Sequence, residues 1–427
     1  MFINEHFLKL SAGYLFPEIA RRVSVFAQEN PALAPRIIRC GIGDVTEPLP
    51  PAAIAALHAA VDELGTRERF RGYGPATGYD EVRRAIAEGD YRSRGVEIAD
   101  DEIFLSDGSK PDASAFLEIV GAGNRIGVPD PVYPVYVDTN VMAGNTGAAD
   151  DRGAYAGLVP LVGTPANGFV AEPPAEPLDL VYLCFPNNPT GAVISREALE
   201  RWVAWANRHR AVILYDAAYE AFIRDGKAPR SIFEIPEARR CAVEFRSFSK
   251  NGGFTGLRAG CTVVPRSLEG RTRDGRTVPL HGLWNRRWST CSNGVSYPVQ
   301  RAVEALYSPQ GKREVAALIE HYMGNAAILR RALEGAGFRT WGGIDAPYVW
   351  VACPEGVPSW DLFDRLLRET QVVVTPGAGF GRHGEGFFRV SAFNSRSNAE
   401  EAATRLATFV VGTPRTSRRS PLGSTSA

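Results

Sequence analysis

The sequence is short of several things, and each shortage excludes a class of function. It has no excess charge of either sign, since lysine plus arginine and aspartate plus glutamate number 48 each. Without a net field, nothing global draws the chain to nucleic acid or to an anionic bilayer. No apolar run reaches the length of a membrane span. The first residues, MFINEHFLKL, place Glu5 early and lack the basic start and apolar stretch of a secretory signal. Six cysteines, Cys40, Cys184, Cys241, Cys261, Cys291 and Cys353, stand apart with no CxxC pair and no metal-ligand spacing. They read as reduced thiols of a cytoplasmic protein with no metal centre. Neither a nucleic-acid partner nor a membrane is expected.

What is present is ordinary in amount and ordered in arrangement. At 427 residues the chain exceeds a single core, so two or three domains are expected, and 44% apolar with 22% charged residues fits a soluble globular protein. After an arm with one helix beyond Pro17, an apolar run over 37–42 ends at Gly43-Asp44 as a buried strand giving way to a loop, where Gly43 is either a turn residue or a backbone surface facing a ligand. Helical spacing follows over 51–64 and 80–94. Apolar runs over 102–106, 125–128, 178–184, 211–215, 240–247 and 259–264 predict strands, with helices such as 112–120 and 195–209 between several of them. This alternation predicts an α/β fold with a mostly parallel sheet covered on both faces, whose ligands gather at the carboxyl ends of its strands. The polar stretch 266–282 reads as an exposed excursion, and 299–333 as one long helix leading out of the large domain. Strand-like runs at 348–352, 371–375 and 387–393, with helices near 361–369 and 399–410, predict a smaller α+β domain. The tail from 412 to 427, rich in Ser, Thr, Pro, Arg and Gly, reads as disordered.

The chemistry-bearing residues cluster just after the strands. The run EFRSFSKNGGFTGLRAG, 244–260, centres on Lys250, with Ser247 and Ser249 before it and Arg258 behind. A lysine becomes a covalent catalyst by forming a Schiff base with a carbonyl, and pyridoxal 5′-phosphate is the cofactor that joins an aldehyde to a phosphate. Hydroxyls and a guanidinium suit the phosphate. Taken alone, the run is also what a solvated loop looks like. Ser109 and Lys110 follow another strand and a glycine turn, which makes a second phosphate cradle. Asp216 ends the strand at 211–215, where a carboxylate can pair with a protonated pyridine nitrogen. Tyr219 and Asn188, the latter within the NNPTG run at 187–191, can hydrogen-bond the phenolic oxygen of such a ring.

NNPTG, then YDAAYEAF, then SFSK with GLR behind it, then FFRVS near the end make a set that resembles the fold type I, class I/II aminotransferases over nearly the whole chain. More narrowly, AGYLFPEI at 12–19, GIGDVTEP at 41–48, DPVYPVYVD at 130–138 and WNRR at 284–287 resemble the LL-diaminopimelate aminotransferase family. That family interconverts tetrahydrodipicolinate and LL-2,6-diaminopimelate, with 2-oxoglutarate and glutamate as the other pair. The resemblance implies a large domain with a seven-stranded sheet over 46–300. It also implies a small domain made of 1–45 and 301–411, and a homodimer with shared sites.

By matching positions, the resemblance makes Lys250 the Schiff-base lysine, Asp216 the ring-nitrogen partner and Tyr133 the residue stacked on the ring, with Asn188 and Tyr219 on its oxygen. Ser109, Lys110, Ser247, Ser249 and Arg258 would surround the phosphate, joined by Tyr73 from a second subunit. Arg389 would clamp the substrate carboxylate, with Tyr14, Gly43 and Asn293 lining the substrate space. Lys110, Tyr133 and Asn188 would border the substrate as well. Glu68, five residues before Tyr73, is either a solvated carboxylate or a contact for the distal ammonium of a long substrate. The implied reaction is transamination of an amino acid with a 2-oxo acid in two half-reactions. The chain departs from the family pattern at Asn251-Gly252 and Cys291-Ser292. This leaves a divergent aminotransferase, serving another amino acid in secondary metabolism, as the alternative. A lyase or decarboxylase on the same fold is the nearer rival in chemistry. A regulator that kept the fold would carry a DNA-binding domain ahead of it, and here the site-like residues begin by Tyr14.

Overall fold

A computed structural model describes residues 1–10, 15–150 and 154–409; Tyr14 and the 412–427 tail lie outside them. A short strand in the arm, β1 (Ile38–Arg39), precedes seven that form the principal sheet. These are β2 (Ile103–Ser106), β3 (Ile126–Asp130), β4 (Leu158–Val162), β5 (Leu180–Cys184), β6 (Val212–Asp216), β7 (Ala242–Ser247) and β8 (Gly260–Val263). Their order is β2-β8-β7-β6-β5-β3-β4. Pairing is parallel from β4 through β7, and β8 runs antiparallel to both β7 and β2. Continuous burial of β2, β5 and β8 is what a sheet covered on both faces requires. Because β8 alone is reversed, the last residues of β2, β3, β5, β6 and β7 all reach one edge, and the segments carrying Ser109, Tyr133, Asn188, Asp216 and Lys250 leave the sheet there.

Beyond the sheet, β9 (Glu269–Arg271) and β10 (Thr277–Pro279) form an antiparallel hairpin. A four-stranded antiparallel sheet then follows from β11 (Thr340–Gly342), β12 (Tyr348–Ala352), β14 (Thr375–Pro376) and β15 (Phe387–Ser391), in the order β11-β12-β15-β14. Between β12 and β14, strand β13 (Val372–Val373) pairs in parallel with β1. That pairing stitches the arm to the C-terminal part of the chain, and Leu15, Ile19, Val23 and Phe26 of the Leu15–Glu29 helix share a core with Leu329, Trp350, Leu366 and Leu406. The amide of Ser391 donates to the Cys40 carbonyl at 2.7 Å. The loop from Gly41 to Asp44 is thereby held above the edge of the principal sheet.

Several sequence expectations are corrected. The helix expected over 299–333 is two, Tyr297–Leu306 and Pro309–Gly335. Ser308 caps the second by accepting from Gly311 N at 3.0 Å, and Pro309 starts a helix but cannot continue one. The 266–282 excursion is the β9–β10 hairpin followed by a helix, Leu280–Cys291, which buries Leu280, Trp284 and Trp288 at four-residue spacing. Strand β4 was not expected: it is an edge strand interrupted by the exposed Pro160, a residue that edges tolerate and that blurs the apolar signal. The 80–94 helix is α-helical only over Asp80–Ile86, and the helix expected over 112–120 begins at Ser109. No helix among the described residues is long and apolar enough to cross a membrane.

Strand β7 is pinned from behind by a buried ionic cluster. The Arg246 guanidinium reaches Glu220 at 2.6 Å, Asp90 at 3.1 Å and Glu244 at 3.1 Å. Tyr91 and Ser231 each donate to Glu244 at 2.6 Å. A buried charge is tolerated when it is paired and hydrogen-bonded in this way.

Candidate active site

The cavity at the sheet edge has a volume of about 480 Å³, within the usual range for small-molecule sites. Lys250 lines it, in the one-turn helix Phe248–Asn251 that β7 leads into and that Ser247 caps by accepting from Ser249 N at 3.2 Å. Its Nζ donates to the carbonyl oxygen of Gly43, on the loop supplied by the arm. Burial depresses the lysine pKa to about 8, opposed by the nearby Asp44 carboxylate and reinforced by Arg389 and Arg258. An amine in this state is about one-fifth neutral near physiological pH, whereas an exposed lysine is almost wholly charged.

One wall carries a carboxylate. Asp216 ends β6, accepts from Tyr136 Oη at 2.5 Å and accepts from Ala218 N at 3.0 Å. Burial raises its pKa against those two hydrogen bonds, so a cationic partner would stabilise it. Tyr136 lies three residues beyond Tyr133, which also lines the cavity, and its ring stacks on Tyr182 at 4.9 Å between centroids. A second wall gathers anion-binding groups. Ser249 Oγ accepts from Arg258 Nη1 at 3.3 Å, and Ser109, Lys110 and Ser247 line the same space. Gly108, at φ 136°, brings its backbone so near that a Cβ there would sit 2.6 Å from Arg258 Nη2, which explains a glycine at this turn.

The third wall holds a buried guanidinium. Arg389, on β15, is 1% exposed. Its Nη1 donates to Asn188 Oδ1 at 2.5 Å and its Nη2 to the Gly41 carbonyl at 2.6 Å, while Nε has no acceptor. All these partners are neutral, and among the described residues no carboxylate lies within ion-pair reach of the charge. A buried cation left in this condition marks a place for an anion. Tyr219, at the end of the same cavity, forms a 2.8 Å hydroxyl pair with Tyr348.

Of the residues singled out in the sequence, Gly43, Ser109, Lys110, Tyr133, Asn188, Asp216, Tyr219, Ser247, Ser249, Lys250, Arg258 and Arg389 all line this one cavity. Glu68, Tyr73 and Asn293 do not: each is exposed on the surface of the single chain, Tyr73 at 91%. Tyr14 lies outside the described residues. Sequence reasoning missed Tyr136 and Tyr348 as site residues. Tyr136 stood inside a quoted run, three residues after Tyr133, but Tyr348 gave no signal beyond an apolar strand.

The depressed lysine gives a prediction with a definite sign. The neutral amine is the nucleophile, so Lys250 should gain reactivity as pH rises through about 8. Competitive labelling with trace acetic anhydride, read by peptide mass spectrometry, is expected to place the Lys250 midpoint well below that of exposed lysines. An equal or higher midpoint would contradict this environment.

Comparison with known proteins agrees with the geometry. Residues 161–406 match the profile of the family "Aminotransferase class I and II". The chain is 57% identical over 404 residues to an LL-diaminopimelate aminotransferase of Prochlorococcus marinus strain MIT 9313, covering 95% of this chain and 98% of that relative. The enzyme of the same name from strain MIT 9303 matches to the same extent. Among solved structures, the L,L-diaminopimelate aminotransferase from Chlamydomonas reinhardtii superposes with a TM-score of 0.87 at 44% identity, over 95% of this chain and 98% of that one. The chain thus belongs to the class I and II aminotransferases and, within them, to the LL-diaminopimelate aminotransferase family.

Proposed function

We propose that this chain is a pyridoxal-phosphate-dependent aminotransferase that interconverts LL-2,6-diaminopimelate and its 2-oxo product, with 2-oxoglutarate and glutamate as the second pair. The observation that carries the reading is that a lysine of depressed pKa and a buried guanidinium with no carboxylate in ion-pair reach share one cavity. The identity of 57% to enzymes bearing the diaminopimelate name supports the substrate.

The residues present fit the cofactor. The buried Asp216 suits a protonated ring nitrogen, and Tyr133 would cover the ring, with Asn188 and Tyr219 at its phenolic oxygen. Ser109, Lys110, Ser247, Ser249 and Arg258 would hold the phosphate. When bound, pyridoxal phosphate supplies an aldehyde for covalent capture of amines and a ring that draws electron density from a carbanion. Lys250 would serve as the base that accepts the substrate α-proton on Nζ and gives it back, which its lowered pKa permits near neutrality. Asp216 would hold the proton on the ring nitrogen through its negative charge. Arg389 holds the α-carboxylate with a charge-assisted fork, which fixes that bond against cleavage and favours transamination over decarboxylation.

The same reading assigns 1–45 and 301–411 to a small domain, 46–300 to a large one, and the site to a homodimer in a reduced cytoplasmic setting, which the six unpaired cysteines suit. Tyr73, exposed like Phe70 three residues before it, would complete the phosphate site of a second copy, with Glu68 and Asn293 near its substrate. Mixing inactive Tyr73→Ala and Lys250→Ala subunits is then expected to restore part of the activity, because some hybrid sites are intact. A mixture that stays inactive after verified subunit exchange would remove the shared site.

The substrate is tested by incubating the purified protein with LL-diaminopimelate and 2-oxoglutarate and measuring glutamate. Glutamate is expected to form, and Glu68→Gln is expected to lower turnover of diaminopimelate more than the reverse reaction of glutamate. Equal effects would take Glu68 out of the site, and no glutamate from the wild type would overturn the substrate assignment.

A further inference from the structure

The loop between β14 and β15 reaches further than closing a hairpin requires. It leaves β14 beside Arg389, which Thr375 faces across the two strands, runs out to His383 and returns through β15. Its two limbs touch: a Cβ at Gly377 would collide with the Gly384 carbonyl, and one at Gly384 with the Gly377 carbonyl. Glu385 ties down its base by accepting from Ser359 N at 2.8 Å and from Ser359 Oγ at 2.9 Å. The tip meets the end of β3. There the Asp130 carboxylate accepts from His383 N at 3.0 Å and from His383 Nδ1 at 2.8 Å, the imidazole being the donor because an ionised carboxylate only accepts. Gly381, at φ 118°, comes so close that a Cβ would strike Asp130 Oδ1. Two residues beyond Asp130, Val132 N donates to the Phe380 carbonyl at 2.7 Å. A solvated ion pair asks for none of this: the carboxylate is 15% exposed and sits in a socket made of two donors and an obligatory glycine.

Each side of this contact adjoins a residue of the cavity. Asp130 precedes Tyr133 by three residues. Phe380, in the loop, is buried, and the Arg389 guanidinium lies 4.9 Å from the centroid of its ring and 4.4 Å from that of Tyr348. Asn188 and Gly41 hold the tip of the guanidinium, whereas the loop holds a surface that the guanidinium lies against. We infer that Asp130 and His383 form a positioning clasp that sets the Arg389 carboxylate site in place relative to the Tyr133 wall. The inference rests on the pyridoxal-phosphate reading above, in which Tyr133 covers the cofactor ring and Arg389 takes the α-carboxylate. Every substrate of that reaction carries the same carboxylate, so loosening the clasp weakens all of them alike, unlike the loss of a residue that reads one side chain. The cost falls on binding, because Asp216 ends β6 and Lys250 follows β7, strands that the clasp does not touch.

The test compares the wild-type holoenzyme with His383→Ala, which loses the Nδ1 donor, and with His383→Asn, whose amide can place an N–H where Nδ1 stood. Binding of glutarate, a dicarboxylate with no amine to react, is measured by calorimetry, and KM and kcat are measured with glutamate and with LL-diaminopimelate. His383→Ala is expected to weaken glutarate binding roughly tenfold and to raise both KM values by a similar factor, the size of one hydrogen bond to a charged group, with kcat changed much less. His383→Asn is expected to recover most of the loss, and adding Asp130→Asn to His383→Ala to cost nothing further. Wild-type affinity in His383→Ala, or a His383→Asn protein as weak as His383→Ala, overturns the clasp and leaves the cofactor reading intact. A KM raised for one amino acid alone would place His383 at a side-chain subsite and also overturns it. A wild type with no borohydride-reducible band on Lys250, or with no glutarate binding, overturns the reading beneath the clasp and the clasp with it. Should His383→Ala not fold, Asp130→Asn alone weakens the pair from its other end and is read in the same way.

Discussion

Two cationic side chains buried in one cavity, with no carboxylate in ion-pair contact with either among the described residues, set the terms for this structure. Charge is elsewhere paired with care: Arg246 behind strand β7 has three carboxylates around it. Lys250 and Arg389 instead face neutral oxygens, from Gly43 in one case and from Gly41 and Asn188 in the other. Desolvation, only partly offset by the Asp44 carboxylate, lowers the lysine pKa and leaves the guanidinium, which cannot lose its proton, poised for an anion. The fold brings those two groups into one cavity with Asp216.

That task explains why the chain is wound as it is. Lys250 and Asp216 come from the principal sheet, whereas Arg389 comes from the antiparallel sheet and Gly41 and Gly43 from the arm. The β1–β13 pairing brings the arm and the C-terminal strands into one body, so a single loop touches both cations. A further tie joins this body to the principal sheet: His383 Nδ1 lies 2.8 Å from Asp130, at the end of β3 just before the segment of Tyr133.

Much of this was legible in the sequence, for reasons that differ by residue. Strands β5 and β6 announce themselves as unbroken apolar runs because both faces of the sheet are covered, and the residue following each run is a candidate by topology alone. Lys250, Asn188 and Arg389 were legible because hydroxyls, glycines and neighbouring motifs gave them context. Tyr348 was not, since a tyrosine opening an apolar strand reads as core, and its tie to Arg389 depends on the register of β12 against β15. Strand β4 was hidden by its edge position and Pro160, and the break at Ser308 was hidden because the apolar spacing on either side of it is helical. Tyr73 and Glu68 are exposed on the single chain, and no packing among the described residues marks them as part of the cavity.

The central claim is that Lys250 is the amine that captures the cofactor aldehyde. Borohydride reduction of the purified protein loaded with pyridoxal phosphate, followed by proteolysis and mass spectrometry, tests it most directly. The account expects one pyridoxyl group per chain, on the peptide containing Lys250, and none in Lys250→Ala. Stoichiometric label on any other lysine, or undiminished label in Lys250→Ala, would contradict it.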